Sequence, residues 1–290
     1  MPNTIVRLLQ LKKELQLYGR DARKVLEDYF QDNCPELHNH SRLWLQNRNN
    51  VVTTAGTGLL HKVICDVEGV PFHKHRRRVS YFMGASLRIC DDLVEEGNVE
   101  PQELYFFQNT TCDTQDLRMT LFHSLNSELL ELLPNTFTHD FEGLIKKLNT
   151  AQEEGKRFSG DLDPKELIDI KNRLGGYFIL LFYGMMFSDR KMKDVYEVYN
   201  LTEKLPSTRE QAWFNFGAWF SRVDDLLDEK SDREHGIKQL ATEGLTSWKS
   251  LRHEAEYVFN GLATQYPCYQ VERVKQKLQP FTSRLIKLLI

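Results

Sequence analysis

Apolar residues recur at helical spacing along most of the chain. Leu121, Leu125 and Leu129, for example, are four residues apart and would cover one face of an α-helix. Segments in which apolar and polar residues alternate strictly, as in a half-buried strand, are scarce. The pattern therefore predicts an all-α fold.

Proline, glycine and asparagine interrupt this pattern where helices would end. The predicted interruptions are residues 34–35, 69–71, 97–101, 133–135, 159–164 and 266–267. Ordinary helix lengths then give about eight to eleven helices. No internal repeat and no long linker divides the chain, so residues 1–290 are predicted to form a single domain.

Composition and charge narrow the class of protein. Apolar residues make up 41% of the chain and charged residues 27%, which is typical of a globular protein with a sizeable core. The formal net charge of −3 gives no reason to expect nucleic acid as a partner. The five cysteines are scattered and form no CxxC pair, which favours a reducing compartment. We therefore expect a cytoplasmic protein.

The N-terminal residues and the most apolar run argue against membrane insertion. Residues 1–19 mix apolar and charged residues and lack the uninterrupted apolar core of a secretory signal. The most apolar run, residues 177–187, is too short to cross a bilayer as a helix. We expect this run to be a buried core helix, and we expect no stable membrane insertion.

The first candidate site is the acidic cluster DDLVEE at the end of a predicted helix. On a helix, Asp91 and Glu95 lie one turn apart on the same face, with Asp92 beside them. Such carboxylates can bind a divalent cation. Toward the N-terminus, the face of Asp91 continues with Leu87 and Met83. The carboxylates would therefore lie at the mouth of an apolar wall.

The second candidate site is the acidic cluster DDLLDEKSD, much further along the chain. Asp224, Asp228 and Asp232 stack at helical spacing, and the same stripe continues toward the N-terminus with Phe220 and Phe216. Both clusters thus combine carboxylates with apolar residues one and two turns before them. We interpret them as two sides of a deep apolar pocket with metal ions at its rim.

Magnesium would explain why carboxylates are stacked in this way. Like charges one turn apart destabilise a helix, and an acidic run is otherwise usually a solvated face. Mg2+ prefers a few carboxylates together with phosphate oxygens and water molecules. The chemistry that suits such a site is departure of inorganic diphosphate, because metal ions neutralise the charge that develops on this leaving group.

At these residues the chain resembles the superfamily of trans-isoprenyl diphosphate synthases and class I terpene synthases. ASLRICDD (85–92) is similar to the first aspartate-rich helix of the family, and FGAWFSRVDDLLD (216–228) is similar to the second. DIKNRLGGYF (169–178) resembles the helix that supplies a basic residue. The resemblance covers about residues 81–247. It implies a helical bundle around a central apolar cavity, with two or three Mg2+ ions, or Mn2+ in their place, bridging the motifs to diphosphate.

The resemblance also implies roles for individual residues. The metal ligands would be Asp91, Asp92, Glu95, Asp224, Asp225 and Asp228, with Asp232 at the spacing of the second metal motif of terpene synthases. Arg173 would sense the leaving diphosphate, and Lys230 and Lys238 are further candidates for contacting it. The candidates for the pocket wall are Met83, Leu87, Tyr177, Phe216 and Phe220. Aromatic faces stabilise an allylic cation by about 0.5–2 kcal/mol each.

The sequence departs from the chain-elongating members of the family. Those enzymes need a second basic site, built in part from a Gly-Lys-Arg segment before the first motif and paired arginines after it. Here GNVE follows the first motif, no Gly-Lys-Arg precedes it, and the Lys-Thr pair of the family appears as Arg173-Leu174. Because a diphosphate needs cations close by, these departures argue against a second diphosphate substrate. The following pair, Gly175-Gly176, fits either a helix break near the cavity or close helix packing.

The leading hypothesis is a class I terpene synthase that converts one linear prenyl diphosphate to a terpene hydrocarbon or alcohol plus diphosphate. Farnesyl diphosphate is the expected substrate and the expected small-molecule partner. One alternative is a trans-prenyltransferase that condenses isopentenyl diphosphate with an allylic diphosphate. Another is a partner subunit of such an enzyme that keeps the fold without turnover. The family resemblance also makes a homodimer reasonable.

Overall fold

The computed structural model describes residues 2–95, 104–107, 116–156, 163–187, 206, 208–235 and 239–266. These residues form ten α-helices and no β-strand, which confirms the all-α prediction. In chain order the helices are α1 (Pro2–Asn33), α2 (Pro35–Gln46), α3 (Arg48–Glu68), α4 (Lys74–Glu95), α5 (Leu117–Leu132), α6 (Phe137–Asp140), α7 (Glu142–Lys156), α8 (Pro164–Met186), α9 (Arg209–His235) and α10 (Trp248–Thr264).

Several helix ends coincide with the predicted interruptions. Pro35 is the first residue of α2, where its missing N–H is not needed for an intrahelical hydrogen bond. Gly69 ends α3 with a φ of 74°, a left-handed conformation that favours glycine. Pro164 begins α8 after Asp163, whose side chain accepts a hydrogen bond from the N–H of Lys165. The interruption predicted at residues 97–101 lies outside the described residues.

Residues Met1–His139 form one compact unit. Within it, α3 packs on α1 and α4, and α4 also packs on α5. The hydroxyl of Tyr81, a fully buried residue of α4, donates a hydrogen bond to Asp21 on α1 at 2.8 Å. The rings of Tyr29 and Phe82 meet edge to face with centroids 4.8 Å apart. These contacts fix α4, the helix that ends in the first acidic cluster, against α1.

Residues Asp140–Ile290 form a second compact unit. Within it, α8 packs on α7 and α9, and α9 packs on α10. Two fully buried indoles join α9 to later residues, because Trp219 Nε1 donates to the carbonyl of Leu251 at 2.9 Å and Trp213 Nε1 donates to the hydroxyl of Tyr266 at 3.1 Å. That both units together make a single domain stays a prediction.

The most apolar run of the chain forms the second half of α8. All residues of 177–187 except Phe178 are buried, so the prediction of a buried core helix is confirmed. In the part of the chain that the structure describes, no helix is both long enough and apolar enough to cross a membrane.

Two glycines let the backbones of α8 and α9 touch. A Cβ atom added to Gly175 would lie 2.5 Å from the carbonyl oxygen of Gly217, and one added to Gly217 would collide with the carbonyl oxygen of Gly175. The Ser221 hydroxyl on α9 donates to the carbonyl of Lys171 on α8 at 3.2 Å. Because α8 continues through Gly175 and Gly176 without interruption, close packing is the correct interpretation of this glycine pair and a helix break is wrong.

A buried histidine joins α3 to α4 in the first unit. His61 is fully buried, and its Nδ1 lies 2.5 Å from the Oγ of Ser80, which in turn donates to the carbonyl of Arg76. Burial penalises the imidazolium form and lowers the pKa of His61 to about 3. The imidazole is therefore neutral in the folded protein across the ordinary pH range.

We expect His61 to make folding sensitive to acid. Its pKa is about 6.5 in the unfolded chain, so its contribution to stability is present above pH 6.5 and is lost as the pH falls toward 3. Between pH 7.5 and 4.5 the wild-type protein should lose about 2–3 kcal/mol more than His61→Asn, measured by urea unfolding. His253→Asn removes an exposed imidazole and should keep the wild-type slope. Equal slopes for His61→Asn and wild type would contradict this prediction.

Candidate functional site

The first acidic cluster lies at the C-terminal end of α4. Along one stripe of this helix, Met83 is fully buried, Leu87 is half-buried and Asp91 is exposed. Asp92 is half-buried and forms an ion pair with Arg88, one turn earlier on the same helix. The side chain of Glu95 lies outside the described residues, so its role as a ligand stays a prediction.

The second acidic cluster lies in the C-terminal half of α9. Along its stripe, Phe216 is fully buried, Phe220 is half-buried, and Asp224 and Asp228 are exposed. Asp232, one turn further on, is buried again, with 8% of its surface exposed. Of the described aspartates of this cluster, Asp224 and Asp228 are the exposed ones, and they lie one turn apart.

Both helices show the same order of burial. A buried apolar residue is followed one turn later by a half-buried apolar residue, and one turn later again by an exposed aspartate. Helices with a solvated polar end and a buried apolar stripe are common in globular proteins. Each acidic cluster, taken by itself, thus ends an apolar stripe that leads from the interior of its own unit to an exposed aspartate.

Asp224 is a carboxyl of the second cluster whose pKa departs clearly from its ordinary value. Much of the surface of Asp224 is open to solvent. Desolvation, followed by repulsion from Asp228 and Asp225, raises the pKa of Asp224 to about 7, although Lys171 acts in the opposite direction.

Asp225 points into the second unit and not toward solvent. With 7% of its side chain exposed, it pairs with Lys171 Nζ on α8 at 3.2 Å, where Lys171 is 15% exposed. The other carboxylate oxygen accepts a hydrogen bond from the backbone N–H of Leu240 at 3.4 Å. Asp225 therefore fastens α9 to α8 and to the segment that precedes α10. Its predicted role as a metal ligand stays a prediction.

We expect this ion pair to be important for stability. Lys171→Met leaves the buried Asp225 carboxylate without its cation, which should cost about 3 kcal/mol in urea unfolding. The matched control is Lys146→Met, which breaks an ion pair with Glu142 whose side chains are 73% and 56% exposed. That change should cost less than about 0.5 kcal/mol. Equal losses in the two variants would contradict a structural role for the Lys171–Asp225 pair.

Arg173, the residue predicted to sense diphosphate, is held between two carboxylates. Its Nη2 donates to Glu154 of α7 at 2.6 Å, and its Nε donates to Asp169 of α8 at 2.8 Å. Burial alone would lower the pKa of Arg173, but the hydrogen bonds to Glu154 and Asp169 outweigh burial and raise it. The guanidinium is therefore charged, and its side chain is 19% exposed.

The remaining predicted residues have different surroundings. Lys230 extends into solvent, with 91% of its side chain exposed, and Lys238 lies outside the described residues. Tyr177 is buried against Phe214, with ring centroids 5.6 Å apart. Phe216 stacks on Phe220 and also meets an aromatic ring of α10. Phe220 combines an aromatic face with partial exposure, so it is the better placed of these two rings to contact a ligand.

The second cluster offers two exposed carboxylates to a cation. Among the described residues, no three His, Cys, Asp or Glu side chains lie where they could hold a metal ion by themselves. Mg2+ commonly takes only one or two carboxylates and completes its shell with phosphate oxygens and water. Asp224 and Asp228 supply two such carboxylates, and their mutual repulsion is a cost that a cation would remove.

Two residues of this region were missed by the sequence analysis. Lys171 lies in the same segment as Arg173, residues 169–178, but its partner Asp225 is 54 residues away. Glu154 lies 19 residues before Arg173, on another helix. The local sequence does not predict the Lys171–Asp225 or the Arg173–Glu154 contact, because both depend on how α8 packs against its neighbours.

Comparisons with protein-family models, with curated proteins and with solved structures find no match to this chain.

Proposed function

We propose that the chain is a class I terpene synthase that ionises a linear prenyl diphosphate, with farnesyl diphosphate as the expected substrate. The observation that carries this proposal is the order of burial on α4 and α9, where an apolar stripe leads to an exposed aspartate in each case. An amphiphilic substrate with a diphosphate head and a hydrocarbon tail matches this order. The resemblance of the two motifs to those of isoprenoid synthases supplies the reaction class.

In this proposal the residues of α8 and α9 bind and orient the head group. Asp224 and Asp228 hold Mg2+, which when bound offsets the negative charge that develops on the departing diphosphate. Arg173 donates hydrogen bonds to the diphosphate oxygens. Lys171 and Asp225 act as positioning residues, because their ion pair sets the register of α9 against α8.

The aromatic stripe of α9 serves the hydrocarbon part of the substrate. Phe220 lies one turn before Asp224 and is half-buried, so a prenyl chain whose head group is held at Asp224 would pass over its ring. An aromatic face stabilises an adjacent allylic cation by about 0.5–2 kcal/mol. The proposal also requires the apolar walls to exclude water, so that the cation is held for ring closure before it can be quenched.

Purified protein with Mg2+ and farnesyl diphosphate, with and without isopentenyl diphosphate, tests the proposal. Products are extracted and analysed as volatiles and, after dephosphorylation, as prenyl alcohols. A terpene from farnesyl diphosphate alone supports the proposal. A longer diphosphate formed only when both substrates are present would replace it with the prenyltransferase alternative. Absence of turnover with every chain length would favour the partner subunit.

In the family that the motifs resemble, both acidic clusters act on one metal-bound diphosphate, and the proposal extends this expectation to the chain. We expect Asp91→Asn and Asp224→Asn each to weaken binding of inorganic diphosphate in the presence of Mg2+, measured by isothermal titration calorimetry. The double variant should bind about as weakly as the worse single variant, because groups that serve one ligand as a unit are not additive. Losses that simply add would indicate two separate sites.

A further inference from the structure

The arginine that would receive the diphosphate already binds two carboxylates. Glu154 and Asp169 together with Arg173 form a cluster with two negative charges and one positive charge. A guanidinium recognises carboxylate and phosphate oxygens by the same hydrogen-bonding geometry. An incoming diphosphate would therefore meet a cation whose donors are partly used and whose charge is more than neutralised.

The two carboxylates differ in how they are attached. Asp169 lies one turn before Arg173 on α8 and accepts from Nε, so it can keep that bond while the rest of the guanidinium turns. Glu154 comes from α7 and accepts from Nη2 at 2.6 Å. Because 35% of the Glu154 side chain is exposed, its carboxylate can return to water at little cost.

We propose that Glu154 is an internal competitor for the Arg173 guanidinium, displaced when a diphosphate binds and restored when it leaves. This inference rests on the proposed function, from which it takes the diphosphate. It goes beyond the proposed function because it assigns to Glu154 the role of setting the affinity for the diphosphate head group. It also links occupancy of the site to α7, since the hydrogen bond to Glu154 is one of the ties between α7 and α8.

A charge argument gives the direction of the effect. Replacing Glu154 by glutamine keeps the size of the side chain but removes one negative charge beside the diphosphate position. A merely structural ion pair would act in the other direction, because its loss would let Arg173 move and would weaken the binding of any anion. The two roles are therefore separated by the sign of the change in affinity.

The experiment is isothermal titration of the full chain with inorganic diphosphate at a fixed, saturating Mg2+ concentration. We expect Glu154→Gln to bind diphosphate about tenfold more tightly than wild type, since loss of one nearby charge is worth on the order of a factor of ten in affinity. Glu153→Gln removes the same charge from the neighbouring position on α7 and should bind within about twofold of wild type. Arg173→Met should bind more weakly than all three.

Hydrogen exchange provides a second readout. Diphosphate should increase amide exchange near the C-terminal end of α7 in wild type, because Glu154 loses its partner, and it should have no such effect in Glu154→Gln. Unchanged or weaker binding by Glu154→Gln, or wild-type binding by Arg173→Met, would overturn the inference. If farnesyl diphosphate is not turned over but Glu154→Gln still binds diphosphate more tightly, the proposed function fails and the inference stands.

Discussion

Replacing Asp224 by asparagine should reduce the rate of diphosphate release from farnesyl diphosphate by about 100- to 1000-fold, the usual effect of losing one group that stabilises a transition state. The reason is that Asp224 is exposed, lies one turn from the exposed Asp228, and carries a pKa raised to about 7. A neutral amide removes one of the two carboxylates available to Mg2+. The measurement is kcat/KM at saturating Mg2+.

The same variant should fold at least as well as wild type. Because the pKa of Asp224 is higher in the folded than in the unfolded protein, ionisation of this carboxyl lowers the free energy of unfolding. Its favourable contribution to stability is therefore present below about pH 4 and is lost as the pH rises through 7. Asp224→Asn should therefore lack this loss and be the more stable protein at pH 8, measured by thermal unfolding without Mg2+. An inactive but stable variant separates a functional role from a failure to fold.

The matched control for Asp224 is Asp28, an exposed aspartate of α1. Asp28→Asn makes the same chemical change at a position outside both acidic clusters. It should leave kcat/KM within about twofold of wild type, as surface substitutions usually do. Full activity in Asp224→Asn, or an equal loss in Asp28→Asn, would remove Asp224 from the proposed site.

Replacing Gly217 by alanine should produce the largest loss of stability among single-methyl changes in the second unit. The added Cβ would collide with the carbonyl oxygen of Gly175, and backbone atoms cannot rotate away as a side chain would. The two helices would have to separate, at a cost of about 3 kcal/mol or more. Urea unfolding measures the loss, and Gly175→Ala should behave similarly.

A glycine elsewhere shows what the same change does without a collision. Gly56 lies inside α3, and beyond its chain neighbours and the nearby backbone of its own helix no atom lies within 4 Å of the position that its Cβ would take. Gly56→Ala should stabilise the protein by about 0.5–1 kcal/mol, because alanine loses less backbone entropy in a helix. Equal effects of Gly56→Ala and Gly217→Ala would mean that α8 and α9 do not depend on backbone contact.

The glycine contact also bears on the candidate site. It brings Lys171 close enough to bind Asp225 at 3.2 Å, and that ion pair fixes the rotation of α9. If α8 and α9 separate, the direction in which Asp224 points should change as well. Gly217→Ala is therefore expected to lower activity even at temperatures where it remains folded.

Local rules were sufficient for many helix ends but not for all. Pro35, Gly69 and Pro164 mark ends that the sequence predicted, because proline and glycine restrict or permit particular backbone angles. The junction of α2 and α3 at Asn47 was not predicted, since no proline or glycine marks it. There the Asn47 side chain accepts a hydrogen bond from the N–H of Asn49 at 2.9 Å, and this cap replaces the missing signal.

The sequence predicted which residues belong to the candidate site. The structure separates them into exposed residues, such as Asp224, and buried residues, such as Asp225. Successive helix residues differ in direction by about 100°, so Asp224 and Asp225 point in different directions. The sequence could not say which of them faces solvent. Packing of α8 decides it, because Lys171 and the N–H of Leu240 hold Asp225 inside the second unit.

The sequence by itself determined the helical character of the chain, the positions of many helix ends and the two stripes that join apolar residues to aspartates. All of these depend on residues within a few turns of one another. Only the tertiary structure decided that Asp225 is tied to α8, that Arg173 is held by Glu154, and that Gly175 and Gly217 are a packing contact. Those facts join residues that are far apart in the chain, and their partners are selected by how helices pack and not by local propensity.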